Sequence, residues 1–511
     1  MTSNIEQLKR LFREGRHADA IAACEAWCQR EPANREARRL CATMHILTGQ
    51  HARALELLRA LRDPAREDAE LLFNIGNCEK ALQEFEAAAT TFTCYTQAFP
   101  EDPAGWANLA ECNFALDRFD EGLRLARLAL EREPTLATEL AASRVARGDQ
   151  LQEAGQLSAA ADHYGAALAM VPGDAATLKK ATLCLLQANR GQEGIALCRE
   201  ILLSDPDNLT ARLGAEWLLS RLVPLWHIPM MNEQERNQAF HDALQAAITP
   251  ATTVLEIGTG SGLLAMMAAR LGARQVVTCE AVPLIAQTAR TIVARNGLAD
   301  RVTVLAKPSA AVQVGTDLPA KADLLVHEIF SSELLGEHVL PAIEDAKARL
   351  LRAGGQILPA AASIMIALVG GDELARHVHV DASFGFDLRD FNAIHPRKRP
   401  LYREDLAPLL LSDAVEAFRF DFMKRSHFPA ERKRIEMRAT QAGQCHGVIQ
   451  WIRIELGHGI VFENHPARRR AVSNWQHTIY GFEEPLALAE GAVVALKAWH
   501  DRARPWFDRA Q

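Results

Sequence analysis

A chain of 511 residues is longer than one core usually organises, so two to four domains are expected from a sequence that is 49% hydrophobic. Its formal charge of −7 gives no bulk electrostatic case for nucleic acid or an anionic membrane, and partners have to be read from local sites. The ten cysteines show no paired metal-ligand spacing; Cys24 and Cys28 lie one helical turn apart and the rest are dispersed, as reduced thiols without a metal site would be.

The N-terminus, MTSNIEQLKRLFREGRHADA, has no apolar signal region, and no later segment offers an uninterrupted apolar run of about eighteen residues. A soluble, cytoplasmic protein is expected. Residues 1–220 are rich in Ala, Leu, Glu and Arg, with small residues at a fixed interval. Ala20, Ala54, Ala88 and Gly122 are 34 apart, Ala160 follows after 38, and Gly194 after another 34. Pro100, Pro134, Pro172 and Pro206 keep the same register twelve residues later. The pairs Leu72 and Trp106, Ile75 and Leu109, and Gly76 and Ala110 also match, where a tetratricopeptide (TPR) repeat has its packing residues. Two antiparallel helices need small residues where their backbones approach, and proline closes the second helix because it cannot continue it. About six such units predict a solenoid with a concave surface for a protein or peptide partner.

After LLSRLVPLW the period breaks. Thr253 to Ile257, Gln275 to Cys279, Val302 to Ala306 and residues 322–328 (ADLLVHE) read as strands, with helices between the first three, Ser261 to Leu271 and Leu284 to Asn296. This βαβαβ pattern predicts an α/β Rossmann-like parallel sheet whose ligand lies beyond the strand carboxyl ends. In VLEIGTGSGLL, Gly258, Gly260 and Gly262 allow a tight turn and close approach of a ligand to backbone at a helix N-terminus. A dinucleotide loop needs a third glycine at position 263, which is leucine here. The spacing G-x-G-x-G after Glu256 instead looks like the S-adenosylmethionine loop of Rossmann-type methyltransferases. Glu280, closing the second strand, can accept hydrogen bonds from both ribose hydroxyls.

HEIFSSELLGE, residues 327–337, places Glu328 and Glu337 nine apart on the loop leaving the fourth strand, with Ser331, Ser332 and Gly336 suited to a hairpin-like turn. Two carboxylates facing one pocket can bind a guanidinium bidentately, because that group has a planar fork of donors and stays charged at physiological pH. They can also hold a nitrogen in line with a sulfonium methyl.

With these residues in view, the sequence resembles the protein arginine methyltransferases over about residues 223–511. MMNEQERN, residues 230–237, resembles that family's N-terminal helix, and the resemblance implies that Arg236 binds the carboxylate of S-adenosylmethionine. It likewise implies cofactor contacts from Glu256, the three glycines and Glu280, and a double-glutamate loop made by Glu328 and Glu337. SNWQHT, residues 473–478, resembles the Thr-His-Trp loop, with Trp475 walling the pocket. Asn474 stands where that loop has histidine, which reduces an ion pair to Glu233 to a hydrogen bond. Ala311 stands for the acid often placed beside adenine, leaving Ser309 or backbone groups to that task. Val339 replaces a methionine found in some members, and Met230 keeps another; both shape the room around a once-methylated arginine.

Past residue 360, AASIMIALVG, GVIQWIRIEL, HTIYGF and GAVVALKAWH are short apolar or alternating runs expected of a β-sandwich or barrel. The resemblance implies a barrel beside the sheet with a helical arm that pairs two copies into a homodimer, for which residues 373–410 are the candidate. The basic runs HPRKR (395–399) and RRR (468–470) read as solvated faces. The expected organisation is a TPR solenoid (1–220), a cofactor-binding domain (221–360) and a β-barrel substrate and dimerisation domain (361–511). The expected activity is methyl transfer from S-adenosylmethionine to arginine in protein substrates. Its rivals are a methyltransferase with a small-molecule or RNA acceptor, a TPR adaptor with a degenerate catalytic module, and a dinucleotide oxidoreductase.

Overall fold

A stack of helix pairs needs a cap on each first helix, a small residue at each crossing and a stop after each second helix. The computed structural model, which describes residues 2–63, 68–401, 409–467 and 474–510, supplies them in most of the repeats. Asn34, Asp68, Asp102, Asp174 and Asn208 each accept a hydrogen bond from a backbone N–H at the start of the following helix, so the cap recurs with the repeat. The crossings are tight. Ala20, Ala54, Ala88 and Ala160 have no exposed surface, and a Cβ on Gly122 would lie 2.7 Å from the Phe114 ring. Pro100, Pro134, Pro172 and Pro206 each follow closely on a helix, those helices ending at Ala98, Arg132, Met170 and Ser204.

The single 38-residue step has a structural cause. Helix Ala137–Glu153 has 17 residues where its counterparts Ala69–Ala81 and Pro103–Ala115 have 13, so about one extra turn is inserted. It is also entered without a side-chain cap, through the 3-10 turn Pro134–Leu136.

The chain forms two compact units, Met1–Leu219 and Ser220–Gln511. In the second, β1 (Thr253–Ile257), β2 (Gln275–Cys279), β3 (Val302–Leu305), β4 (Ala322–His327) and β5 (Leu351–Leu358) form a parallel sheet in the order β3-β2-β1-β4-β5. The order reverses at β1, whose neighbours are β2 and β4. The carboxyl ends of these three central strands therefore project the glycine loop, Glu280 and Glu328 toward one crevice.

The chain then turns into β6 (Ala361–Gly370), which is buried throughout and pairs antiparallel with Val415–Asp421 and Gly443–Gly457. A second antiparallel sheet joins Glu431–Arg438, Val493–His500 and Pro505–Arg509. One continuous core holds Leu255 and Leu325 of the parallel sheet with Ile364, Phe418 and Leu496 of the antiparallel ones. The break expected at 360 is thus a change of sheet within one core, and residues 361–511 are not a separate compact unit.

The expected helical arm at 373–410 is mostly not helical. It opens with the seven-residue helix Asp372–Val378 and continues as the small hairpin Ala382–Ser383 and Phe386–Asp387, the 3-10 turn Arg389–Ile394 and the strand Lys398–Leu401. Gly385 at φ +82° turns the hairpin, and Pro396 and Pro400 stop a helix from forming further on. Residues 402–408 of that segment, and the RRR run at 468–470, lie outside the described residues.

Candidate active site

The glycine loop is built by backbone that side chains resist. Gly258, Gly260 and Gly262 have φ of +85°, +51° and +82°, and Gly262 is the N-cap of helix Leu263–Arg270. A Cβ on Gly258 would meet the Ile329 side chain at 2.7 Å, whereas around Gly260 the nearest atoms stand 3.8 Å off, leaving backbone open for a ligand.

Glu280 is partly exposed at the end of β2. Its carboxylate accepts from the Gly260 N–H at 3.2 Å and the Val282 N–H at 3.0 Å, so it orders the loop and still has lone pairs toward the crevice. Glu256, expected among the cofactor contacts, is elsewhere. It lies on a strand covered on both faces, is 1% exposed, and accepts from the Thr278 hydroxyl at 2.5 Å. Burial pushes its carboxyl up to about 8. Glu256 supports the loop from beneath, with Oε2 held by Thr278. Ser309 stands in the 3-10 turn Ser309–Ala311, where its carbonyl accepts from Arg349.

The double-glutamate loop is closed by short-range contacts. Ser331 bridges to Leu334, and its hydroxyl accepts from the Gly336 N–H at 2.9 Å. Residue 336 must be glycine here, since a Cβ would stand 2.7 Å from that hydroxyl oxygen. Two bonds tie this loop to the tryptophan loop: the Trp475 indole N–H donates to the Phe330 carbonyl at 3.1 Å, and the Gln476 N–H to the Ser332 hydroxyl at 3.0 Å. Trp475 is 2% exposed and lines, with Glu337, a cavity of about 450 Å³. Asn464 donates to its carbonyl at 2.9 Å.

Glu328 is pushed up to about 7, first by burial and then by the charge of Glu337, against the pull of Arg236. Glu337 is raised as well, by burial and by Glu280. The two loop carboxylates and Glu280 therefore act on one another across a single site. Arg236, expected to face the cofactor carboxylate, gives one nitrogen to Glu328 at 3.0 Å and another to Asn237 at 2.8 Å, with its guanidinium 4.8 Å from the Phe240 ring. The Glu233 contact expected of the Asn474 side chain is made by the Asn474 backbone N–H at 3.2 Å, so that tie survives the loss of histidine.

The HPRKR run is a solvated face over His395, Pro396 and Arg397, which are exposed, but not at Lys398 and Arg399. Lys398 donates to Glu333 at 2.6 Å, and Lys398, Arg399 and Pro400 line the same cavity as Glu337 and Trp475. These residues and Trp226 were not singled out as site residues from the sequence. The pairing of strand Lys398–Leu401 with His477–Tyr480 brings the first three in.

Replacing Glu280 by Ala is expected to weaken S-adenosylmethionine binding by about 1 to 3 kcal/mol, since a charge-assisted acceptor is lost and the Gly260 N–H is released. Titration calorimetry measures it, and an unchanged affinity would remove Glu280 from the cofactor site.

Comparison with known proteins bears on the same residues. The model of the ribosomal protein L11 methyltransferase (PrmA) family matches residues 240–358, and tetratricopeptide repeat models match 11–72, 67–137 and 145–208. An arginine N(omega)-methyltransferase of Streptomyces achromogenes subsp. streptozoticus is 36% identical over 304 residues, which is 59% of this chain and 83% of that protein. Protein arginine N-methyltransferase 7 of Drosophila erecta is 30% identical over 324 residues, 55% of this chain and 47% of its own. The enzyme of the same name from Oryza sativa subsp. indica is 29% identical over 313 residues, 54% and 43%. The chain thus spans less than half the length of these two. A solved structure, the Trypanosoma brucei PRMT1 enzyme-prozyme heterotetrameric complex with AdoHcy, matches 56% of this chain and 98% of its own at a TM-score of 0.47 and 18% identity. Since the match to the Streptomyces enzyme spans 83% of that protein at 36% identity, the chain belongs to the arginine N-methyltransferase family, and it carries TPR repeats ahead of its methyltransferase module.

Proposed function

We propose that the chain methylates the guanidinium of arginine in protein substrates, with S-adenosylmethionine as donor and the TPR unit recruiting the protein. The observation that carries the reading is a buried carboxylate with capacity to spare. Glu328 gives Oε2 to Arg236, while its Oε1 has no hydrogen-bond partner among the described residues. A buried acceptor left so is costly, and the N–H fork of an incoming guanidinium would fill it.

The bound cofactor supplies an electrophilic sulfonium methyl. The glycine-loop N–H groups and Glu280 would hold it by its polar edges, with the open backbone at Gly260 facing it. Glu328 and Glu337 would grip two nitrogens of the acceptor and draw its positive charge toward them, leaving the third nitrogen richer in electron density. Trp475, fixed from both sides, would exclude water and keep the guanidinium plane in place. A carboxyl raised to about 7 can also take up, on Glu328 Oε1, the proton that the methylated nitrogen releases.

An adaptor with a degenerate catalytic module is not favoured, because the Asn474 substitution leaves the tie to Glu233 intact through backbone. Free arginine as acceptor is the second reading, supported by the name of the Streptomyces relative, which specifies arginine and not protein arginine. Incubation with labelled S-adenosylmethionine and an arginine-containing peptide pool, followed by mass spectrometry, tests the main reading. Label on arginine nitrogens is expected; label confined to other residues would overturn it.

The repeats make a separate prediction. Deleting residues 1–208, which stops short of helix Leu209–Leu222, is expected to leave cofactor binding intact and to slow methylation of a cognate protein far more than that of a short peptide. Equal rates on the intact protein with and without the repeats would assign them a structural role.

A further inference from the structure

The sheet made by Glu431–Arg438, Val493–His500 and Pro505–Arg509 has one face in the core and one outside. Ile435, Met437, Leu496, Ala498 and Phe507 point inward. The register sets the alternate residues on the outer face in rows: Arg432 beside Trp499 beside Trp506, then Arg434 beside Lys497 beside Asp508. Glu436 and Ala495 form the next row, and Arg438 and Val493 the last.

The first row is aromatic and lies between cations. The Trp499 and Trp506 rings are half-buried and 6.5 Å apart at 36°, with the Arg432 guanidinium 5.8 Å from the Trp499 ring and Lys398 Nζ 5.9 Å from the Trp506 ring. The second row is cationic. Arg434 and Lys497 are exposed and stand directly opposite each other on neighbouring strands, an arrangement that costs stability. Asp508, on the other side of Lys497, is bonded to Arg397 at 3.3 Å, and neither Arg434 nor Lys497 makes an ion pair among the described residues. Four cations stand on this face, Arg432, Arg434, Arg438 and Lys497, against Glu436 and an Asp508 that is already paired. A chain of net charge −7 thus gathers cations here against its overall balance.

We propose that this outer face binds single-stranded nucleic acid, with bases against Trp499 and Trp506 and phosphates held by Arg434 and Lys497. A polyanion relieves the repulsion between the two facing cations, and any acidic partner would do that. The tryptophans decide for nucleic acid. An unpaired strand offers a π face with every base and a charge with every link, which suits an aromatic row beside a cationic one. Lys497 and Trp499 are two residues apart on one strand, about 6.8 Å, so a phosphate and the neighbouring base can reach both. Binding here does not depend on which acceptor is methylated.

The test uses the full chain and a fluorescein-labelled single-stranded RNA of about twelve nucleotides, within the span of such platforms, read by anisotropy across a salt series. Binding is expected, with quenching of tryptophan fluorescence, and poly-glutamate of equal charge should compete poorly. In the double variant Arg434→Gln, Lys497→Gln the affinity should fall at least about tenfold. Its slope of log K against log salt should be shallower by about 1.4, or roughly 0.7 for each of two phosphates. The same variant should melt at or above wild type, since the facing charges are gone. Trp499→Leu should lose about tenfold in affinity and much of the quenching, with the salt slope unchanged. Cofactor affinity should stay at the wild-type value in every variant, which confirms that each one folds. No binding at about 50 mM salt, equal binding of the matching duplex, or an affinity that survives either the double variant or Trp499→Leu would overturn the proposal. Equal binding of poly-glutamate would overturn it as well and assign the face to an acidic protein.

Discussion

Glu328→Gln and Glu337→Gln should each lower methylation of an arginine peptide by at least about a hundredfold, by comparison with removal of other electrostatic stabilisers. Gln keeps the size of the side chain but turns one acceptor into a donor, and that donor faces the donors of the guanidinium. The losses should not add, because either substitution breaks the same clamp. Glu328 is the carboxylate partner of Arg236, which is 2% exposed. Gln withdraws that counter-charge but also removes a buried anion whose burial raises its carboxyl, so the two effects oppose each other. Glu337 makes no ion pair among the described residues, so neither variant should melt far from wild type. Freed Arg236 would also be available to the cofactor carboxylate, so cofactor affinity should hold or rise in Glu328→Gln. Single-turnover kinetics, melting curves and cofactor calorimetry on the same preparations separate these effects. Vigorous methyl transfer by the double variant would sink the clamp and favour another kind of acceptor.

The features legible in the sequence were those set by local geometry. A helix pair has a fixed length, so Ala20, Ala54, Ala88 and Gly122 advertise the solenoid without any knowledge of what they touch. The glycine loop was equally plain, because Gly258 and Gly262 occupy backbone that other residues avoid. The caps at Asn34, Asp68 and Asp102 follow the same interval but do not stand out in the sequence, since Asn and Asp in a loop also serve turns and solvent.

What the sequence hid depended on distant partners. Glu256 looked like a ligand contact because it precedes the loop, yet helices cover both faces of a parallel sheet and leave it facing Thr278. Lys398 looked solvated like the rest of HPRKR because Glu333, which neutralises it, is 65 residues away in sequence. Past the short helix Asp372–Val378, residues 379–401 carry apolar side chains with no more helix than a 3-10 turn, and Phe384, Phe386 and Ile394 end up exposed. Arg236 and Glu328 were assigned to separate ligands, and only the folded chain brings them to 3.0 Å.

If the clamp holds, that pair is expected to set the pH dependence of methylation. Glu328 must be ionised to hold a guanidinium, and the acceptor itself does not titrate in the working range. With its carboxyl raised to about 7 in the free enzyme, kcat/KM should fall roughly tenfold per pH unit below that point and level off above it. Among the groups facing Glu328, Arg236 holds the limb down, while Glu337 and Glu233 push it up. Residual activity of Glu337→Gln should therefore show the limb at lower pH, because a like charge has been removed while burial is unchanged. Stability must move the other way. The folded state holds the Glu328 proton more tightly than the unfolded chain, whose carboxyl has the ordinary value of 4.5. The native state therefore binds more protons between the two values, and this group's contribution to stability is full below about 4.5 and is lost as pH rises through about 7. Activity should rise across the same window in which this contribution to stability declines, so acid inactivation near pH 6 should be fully reversible and occur without unfolding. A flat kcat/KM profile from pH 5 to 8, or a loss of activity that tracks a loss of near-ultraviolet circular dichroism, would mean that Glu328 is not the group that titrates.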